Sequence, residues 1–222
     1  MLDLFQQGGA VMYVLLLMSV LALAIILLKL YQFYGSGLRQ TAFVEDILQS
    51  LSRGEYELAQ ESLRQQSSPV ARVLESALSF GASPTISSSD AEAEVSRVGS
   101  AQIRNLESWL RALSSIAHLS PLLGLLGTVT GMIAAFMRLQ EAGSRVDPSI
   151  LSGGIWEALL TTAFGLMVAI PAMAAFYYLE GEVDRVRAAM KDASIQVLRH
   201  FGKSPHADDR YIERIEDETH GL

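Results

Sequence analysis

The sequence predicts an all-α integral membrane protein with three transmembrane helices. Three observations predict it. Residues 4–28, 112–137 and 158–179 contain no Asp, Glu, Lys or Arg, and each run reaches the about 20 residues that a helix needs to cross about 30 Å of hydrocarbon. Half of the 222 residues are hydrophobic and only 18% are charged, below the roughly 25% of ordinary soluble domains. Basic residues fall unevenly between the connecting segments, as they do in multi-pass membrane proteins.

The first element covers residues 1–28. Its leading flank, Met1 to Leu4, has no basic residue, and its apolar run is about twice as long as the core of a secretory signal. It is expected to be a retained first span behind a short periplasmic N-terminus. Residues 29–111 form a polar loop that reads as helical. Helices are expected over 43–51, 56–65 and 70–80, with Gly54 separating the first two and Ser67-Ser68-Pro69 starting the third, because proline suits a first helical turn. The Ser- and Pro-rich stretch 81–89 reads as a linker. From Ala91, Val95, Val98, Leu106, Leu110 and Leu113 recur at helical spacing with no proline before Pro121, so one unbroken helix is expected to run from the loop into the second span, 112–137.

A short connection, 138–149, leads to the third span, 150–179. Residues 180–222 follow as a helix and a tail. Val183, Val186, Met190, Ala193 and Val197 step by three and four, the seam of a helix lying along another helix or docked on its own loop. The tail after Lys203 is charged and aperiodic, and is expected to be mobile. The second and third spans are thus both expected to extend into a helical domain outside the bilayer.

Orientation follows from the cations. Residues 29–111 hold Lys29, Arg39, Arg53, Arg64, Arg72, Arg97, Arg104 and Arg111, and seven more basic residues follow the third span. The connection between the second and third spans has only Arg138 and Arg145. The loop and C-terminus are therefore expected in the cytoplasm and the N-terminus in the periplasm. A net charge of −7 argues against a nucleic-acid partner, since phosphate contacts need clustered cations. With no cysteine there is no disulfide framework. No metal-ligand spacing, phosphate loop or nucleophile elbow is present, so neither a catalytic residue nor a metal site is expected. His118, near Ser114 and Ser115, reads as a hydrogen-bonded packing residue.

The informative residues are polar ones inside the spans. Glu157 lies about 10 Å along a helix that starts near residue 150. An intramembrane carboxylate of this kind faces protein or water and marks an ion route, unless it reaches the headgroup interface. Thr161 shares the Glu157 face, whereas Thr162 is rotated from it by about 140°, so one helix cannot aim all three at one point. Either threonine could instead bond a carbonyl of its own helix. The second span carries Thr128 and Thr130, and Gly127 and Gly131 form a G-x-x-x-G pair that permits close helix approach. Pro121 and Pro171 are expected to bend their helices. Small residues recur in the third span, whereas the first is Leu-rich and suited to lipid. Three spans cannot enclose a path alone, so a ring of identical subunits is expected.

Residues 121–132, Pro-Leu-Leu-Gly-Leu-Leu-Gly-Thr-Val-Thr-Gly-Met, then Asp147-Pro148, then Gly154-Ile-Trp-Glu-Ala-Leu-Leu-Thr-Thr-Ala-Phe-Gly-Leu-Met-Val-Ala-Ile-Pro-Ala172 resemble the core of the ExbB/TolQ proteins, distant relatives of the flagellar MotA. Specific matching covers about residues 113–178. The resemblance implies a stator subunit of the inner membrane that uses the proton motive force to energise envelope processes, such as import through a TonB-like protein. It implies a homopentameric ring around two copies of an ExbD/TolR-like single-span partner that carries an intramembrane Asp. Protons are the implied coupling ion, sodium being the alternative, and no cofactor is implied. Thr128, Glu157 and Thr162 match the family's polar positions. Thr161 stands where the family often has Ala, and Thr130 where it often has Trp. Phe176-Tyr177-Tyr178 replaces a common Tyr-Asn, which puts in doubt any partner contact that needed the Asn. The rival readings are a TolQ-like or flagellar-type stator with another output, and a non-conducting membrane scaffold. A secondary transporter is disfavoured, because three spans offer no inverted repeat.

Overall fold

The computed structural model describes residues 9–35, 42–141 and 148–203, all of them helical apart from short turns and caps. The helices are α1 (Gly9–Gly35), α2 (Ala42–Ser52), α3 (Tyr56–Arg64), α4 (Pro69–Ala82), α5 (Ser88–Glu107), α6 (Leu110–Glu141) and α7 (Pro148–His200). Expectations for the N-terminal flank, for Arg39, Arg145 and Asp147, and for the tail after Lys203 fall outside the described residues.

The chain divides into two compact units. One comprises Met1–Tyr31 with Ser108–Gly181, and the other Gln32–Glu107 with Glu182–Leu222. Among the described residues three helices are long and apolar enough to cross a membrane, Gly9–Phe33, Leu110–Glu141 and Leu151–His200, and the chain of the last continues past Gly181 into the second unit. Along α1, Met12, Leu15, Ala22, Ile25 and Lys29 form a buried stripe, while Leu17, Val20, Leu23, Leu27 and Leu28 stand exposed. That is the division required of a span with one face on protein and the rest toward lipid. Lys29 is only 2% exposed, and its Nζ donates to Ser108 Oγ at 3.3 Å. The long alkyl stem lies in the packed face while the ammonium meets hydrogen-bond acceptors.

The second unit is built with local signals that agree with its helices. Gly54 (φ 77°) ends α2, with Glu55 N donating to Ser50 O and Gly54 N to Leu51 O, the paired bonds of a Schellman cap. Ser68 caps α4, its Oγ accepting from Val70 N at 3.2 Å, with Pro69 in the first turn. Ser87 Oγ accepts from Asp90 N at 3.1 Å at the start of α5. On α5, Arg97 donates to both oxygens of Glu94 at 2.9 Å, and this bond holds the Glu94 carboxyl below its ordinary range. The α7 seam Val183, Val186, Met190, Ala193 and Val197 is buried throughout. Gly202 (φ 69°) then ends α7 with the same Schellman bonds, Lys203 N to Leu198 O and Gly202 N to Arg199 O. Lys203 Nζ donates to Phe80 O and Ser83 O, at 2.9 and 2.6 Å, capping the end of α4.

One expectation is corrected. No unbroken helix runs from Ala91 into the second span: α5 stops at Glu107 and α6 starts at Leu110. Trp109 between them has φ 67° and is 67% exposed, and its carbonyl accepts the first bond of α6, from Leu113 N. A bulky residue in the left-handed region is strained by about 1–3 kcal/mol, and neither Gly nor Pro is there to relieve it. Local propensity therefore does not make this break. The Lys29 bond to Ser108 lies at the break, one residue before Trp109. Pro121 and Pro171 both lie inside continuous helices.

Candidate functional site

Within the membrane unit α6 and α7 form an antiparallel hairpin whose contact is made of small residues. On α6 the contact positions are Ser120, Gly124, Gly127, Gly131 and Ala135. On α7 they are Gly154, Ala158, Thr161 and Gly165. A Cβ placed on Gly165 would lie 2.6 Å from the Ser120 carbonyl oxygen, and one on Gly124 would lie 3.0 Å from Thr162 Cα. The backbones themselves touch. A Cβ on Gly127 would run into Thr161 Oγ1, and one on Gly154 into Ala135 Cβ. Where lipid supplies no hydrophobic drive, such contact gains its energy from dispersion and hydrogen bonds.

Thr161 is 2% exposed inside this seam. Its Oγ1 lies 2.7 Å from its own-helix acceptor, Ala158 O, and 3.2 Å from Gly124 O across the hairpin. Thr162 Oγ1 donates to the same Gly124 carbonyl at 3.1 Å. Gly124 is thus the point where two consecutive hydroxyls converge, and only a residue without a side chain lets them reach its backbone. Thr128 bonds Leu125 O at 2.7 Å, and Thr130 lies 3.0 Å from Leu126 O. Glu157 is half-buried, with no hydrogen bond or ion pair to another described residue. His118 Nδ1 lies 2.7 Å from Ser114 O, one turn back, so the expected hydrogen bond is present, but the side chain is exposed and not packed.

The seam also fixes the sides on which the polar residues lie. In two facing antiparallel helices, positions one residue after a contact position fall on the same side of the pair. At 100° per residue, Thr128 and Thr162 sit about 60–70° to one side of the contact line. Glu157 sits about 70° and Thr130 about 100° to the other side. One flank of the hairpin therefore carries two hydroxyls about one helical turn apart, Thr162 being level with Gly124. The opposite flank carries the carboxylate and Thr130, nearly level. Thr161 lies between the flanks, closed off. Gly165 stood among the small residues expected to pack, whereas spacing alone missed Gly124 and Gly154 as contact points, although small residues at steps of three and four were the signal that could have found them. Lys29 was missed as a buried residue because it reads as an ordinary flanking cation.

Three apolar helices, two of them joined through a polar-flanked seam of glycines, define a multi-pass α-helical membrane protein with ionisable and hydroxyl groups at membrane depth. The sequence of the MotA/TolQ/ExbB proton channel family matches residues 65–192, more than half of the chain. The chain belongs to this family. It is 29% identical over 184 residues to an ExbB homolog of Methanothermobacter thermautotrophicus, covering 82% of this chain and 64% of the relative. It is 39% identical over 108 residues to the biopolymer transport protein exbB1 of Vibrio cholerae, covering 48% of this chain and 47% of the relative. The Tol-Pal system protein TolQ of Haemophilus influenzae matches at 37% over 110 residues, 47% of this chain and 48% of the relative. The matched stretches thus span about half to two thirds of these relatives.

Proposed function

We propose that the chain is the ring-forming subunit of a proton-driven stator in the bacterial inner membrane. Five copies would surround two copies of a single-span partner of the ExbD/TolR kind, whose intramembrane Asp takes protons. Inward proton flow would step the ring against the partner and energise an envelope process, with import through a TonB-like protein the leading output. The N-terminus would be periplasmic, and the loop and tail cytoplasmic.

The observation that carries this reading is the separation of the two polar flanks. Within one chain Glu157 lies across the seam from Thr128 and Thr162, so a single hairpin cannot line one path with all three. Copies side by side present the carboxylate flank of one to the hydroxyl flank of the next, or both to a helix between them. A charge buried at the bilayer centre costs about 2.5–3.5 kcal/mol on insertion scales, and this arrangement gives Glu157 polar surroundings. Hydroxyls carry no net charge themselves. Their part is to orient waters and the partner's carboxylate. Each proton crossing 100 mV yields about 2.3 kcal/mol, so a few suffice for a conformational step without covalent chemistry.

The test is proton flux into vesicles that contain this chain and its co-purifying partner, with native mass giving the subunit ratio. Thr128→Val with Thr162→Val, and separately Glu157→Gln, should lower partner-dependent flux at least about tenfold, as removing essential polar groups from a relay does. Undiminished flux, or an assembly that never recruits a single-span protein, would support the non-conducting scaffold instead. A TolQ-like or flagellar-type output would be told apart by the partner's periplasmic domain.

A further inference from the structure

The cytoplasmic-loop unit contains a groove that the proton-channel reading leaves without a role. It is a cleft of about 510 Å³ between α5 and the last turns of α7, with Val73 of α4 at its base. Its floor is apolar, formed by Val95, Ile103, Met190 and Leu198, all of them buried. At one end the rim carries three cations. Arg187 is already paired, with Glu107 and Asp184. Arg104 and Lys191 are exposed and make no side-chain hydrogen bond or ion pair to a described residue. Glu92 stands among the lining residues as well, so the surface is amphipathic, with its unpaired positive charge on Arg104 and Lys191.

We propose that this groove is the docking surface for the chain's own C-terminal tail, centred on Tyr211, Ile212 and Ile215. Three features point to that occupant. The first is charge. Residues 204–222 hold Asp208, Asp209, Glu213, Glu216, Asp217 and Glu218 against Arg210 and Arg214, six negative and two positive, a net of −4. The second is chemistry. Tyr211, Ile212 and Ile215 sit inside the acidic run, so apolar side chains for the floor come with carboxylates for the rim. The third is reach. The tail departs from Lys203, five residues beyond Leu198, and Lys203 is tied to Phe80 O and Ser83 O in the same unit. The groove follows α7 from Leu198 back to Arg187, about 16 Å at 1.5 Å per residue. Eight residues from Lys203 to Tyr211 can extend about 26 Å. Tethering places the tail at millimolar effective concentration, so a contact too weak to hold a free peptide is occupied within the chain.

The chain has no cysteine, which makes disulfide trapping in the full-length protein direct. Ser100→Cys with Ile212→Cys places one thiol on the groove and one on the tail. Ser62→Cys with Ile212→Cys is the control, Ser62 being exposed on α3. In membranes under mild oxidant, the Ser100 pair should form an intrachain disulfide about tenfold faster than the control. Adding Arg104→Glu and Lys191→Glu should slow it about tenfold, since opposed charges become like ones. These exposed substitutions leave the buried seam intact. A rate no greater than the control, a rate indifferent to charge reversal, or a disulfide between two copies would each overturn the proposal. The last outcome would assign the groove to a neighbouring copy.

Discussion

Gly165→Ala adds one methyl group at the tightest backbone contact in the hairpin. Its Cβ would lie 2.6 Å from the Ser120 carbonyl oxygen and 3.1 Å from Gly124 Cα, where ordinary contact begins near 3.4 Å. Both obstacles are backbone, so no rotamer change relieves them, and the helices must part by about 0.8 Å. The hydroxyls of Thr161 and Thr162, at 3.2 and 3.1 Å from Gly124 O, would move to about 4 Å, beyond hydrogen-bonding range. Each interhelical bond in a membrane protein is worth about 0.6 kcal/mol on average. A gap of that size also forfeits a quarter to a half of the dispersion well along the seam. Together with overpacking strain of about 1–3 kcal/mol, the expected loss is about 2–4 kcal/mol. Gly153→Ala is the matched control on the same helix, because a Cβ there meets nothing within 4 Å. It should be neutral or stabilising by up to about 1 kcal/mol, from relief of the glycine entropy cost. Unfolding in lipid vesicles, followed by Trp fluorescence, measures both. Equal stabilities for the two variants would refute the close-packed seam.

Three further outcomes follow from other parts of the chain. Trp109→Gly removes the left-handed strain at the α5–α6 break and should stabilise the fold by about 1 kcal/mol, read from the same unfolding transition. Lys203→Met removes the ammonium that donates to Phe80 O and Ser83 O. The loss should be about 1–3 kcal/mol, visible as faster proteolysis near the end of α7. Arg97→Gln removes the strongest donor to Glu94, whose carboxyl should then titrate nearer its ordinary value by NMR. Because that carboxyl is depressed in the folded chain, the pair's contribution is complete above the ordinary carboxylate pKa. It declines as pH falls through the depressed one.

The three spans and the amphipathic helices of the loop were legible because their signals are local. A charge-free run of sufficient length has no other stable arrangement, and the stop at Gly54 is written in a residue that tolerates positive φ. The Val183–Val197 seam was legible for the same reason, since helical spacing alone places its residues on one face. Thr128, Glu157 and Thr162 could be picked out because polar groups stand out in apolar helices. Their sides could not be assigned from spacing on separate helices.

By itself, then, the sequence determined that the chain is helical, that it carries three segments long and apolar enough to cross a membrane, and which polar groups lie within them. All of these follow from hydropathy and periodicity within single segments. Only the tertiary structure decided that Thr161 is closed inside the α6–α7 contact, that hydroxyls and carboxylate take opposite flanks, and that Lys29 is buried beside Ser108. It also broke the helix at Trp109, where no local signal exists. These depend on how closely segments distant in the chain approach one another, and that distance is set by the summed packing of both surfaces.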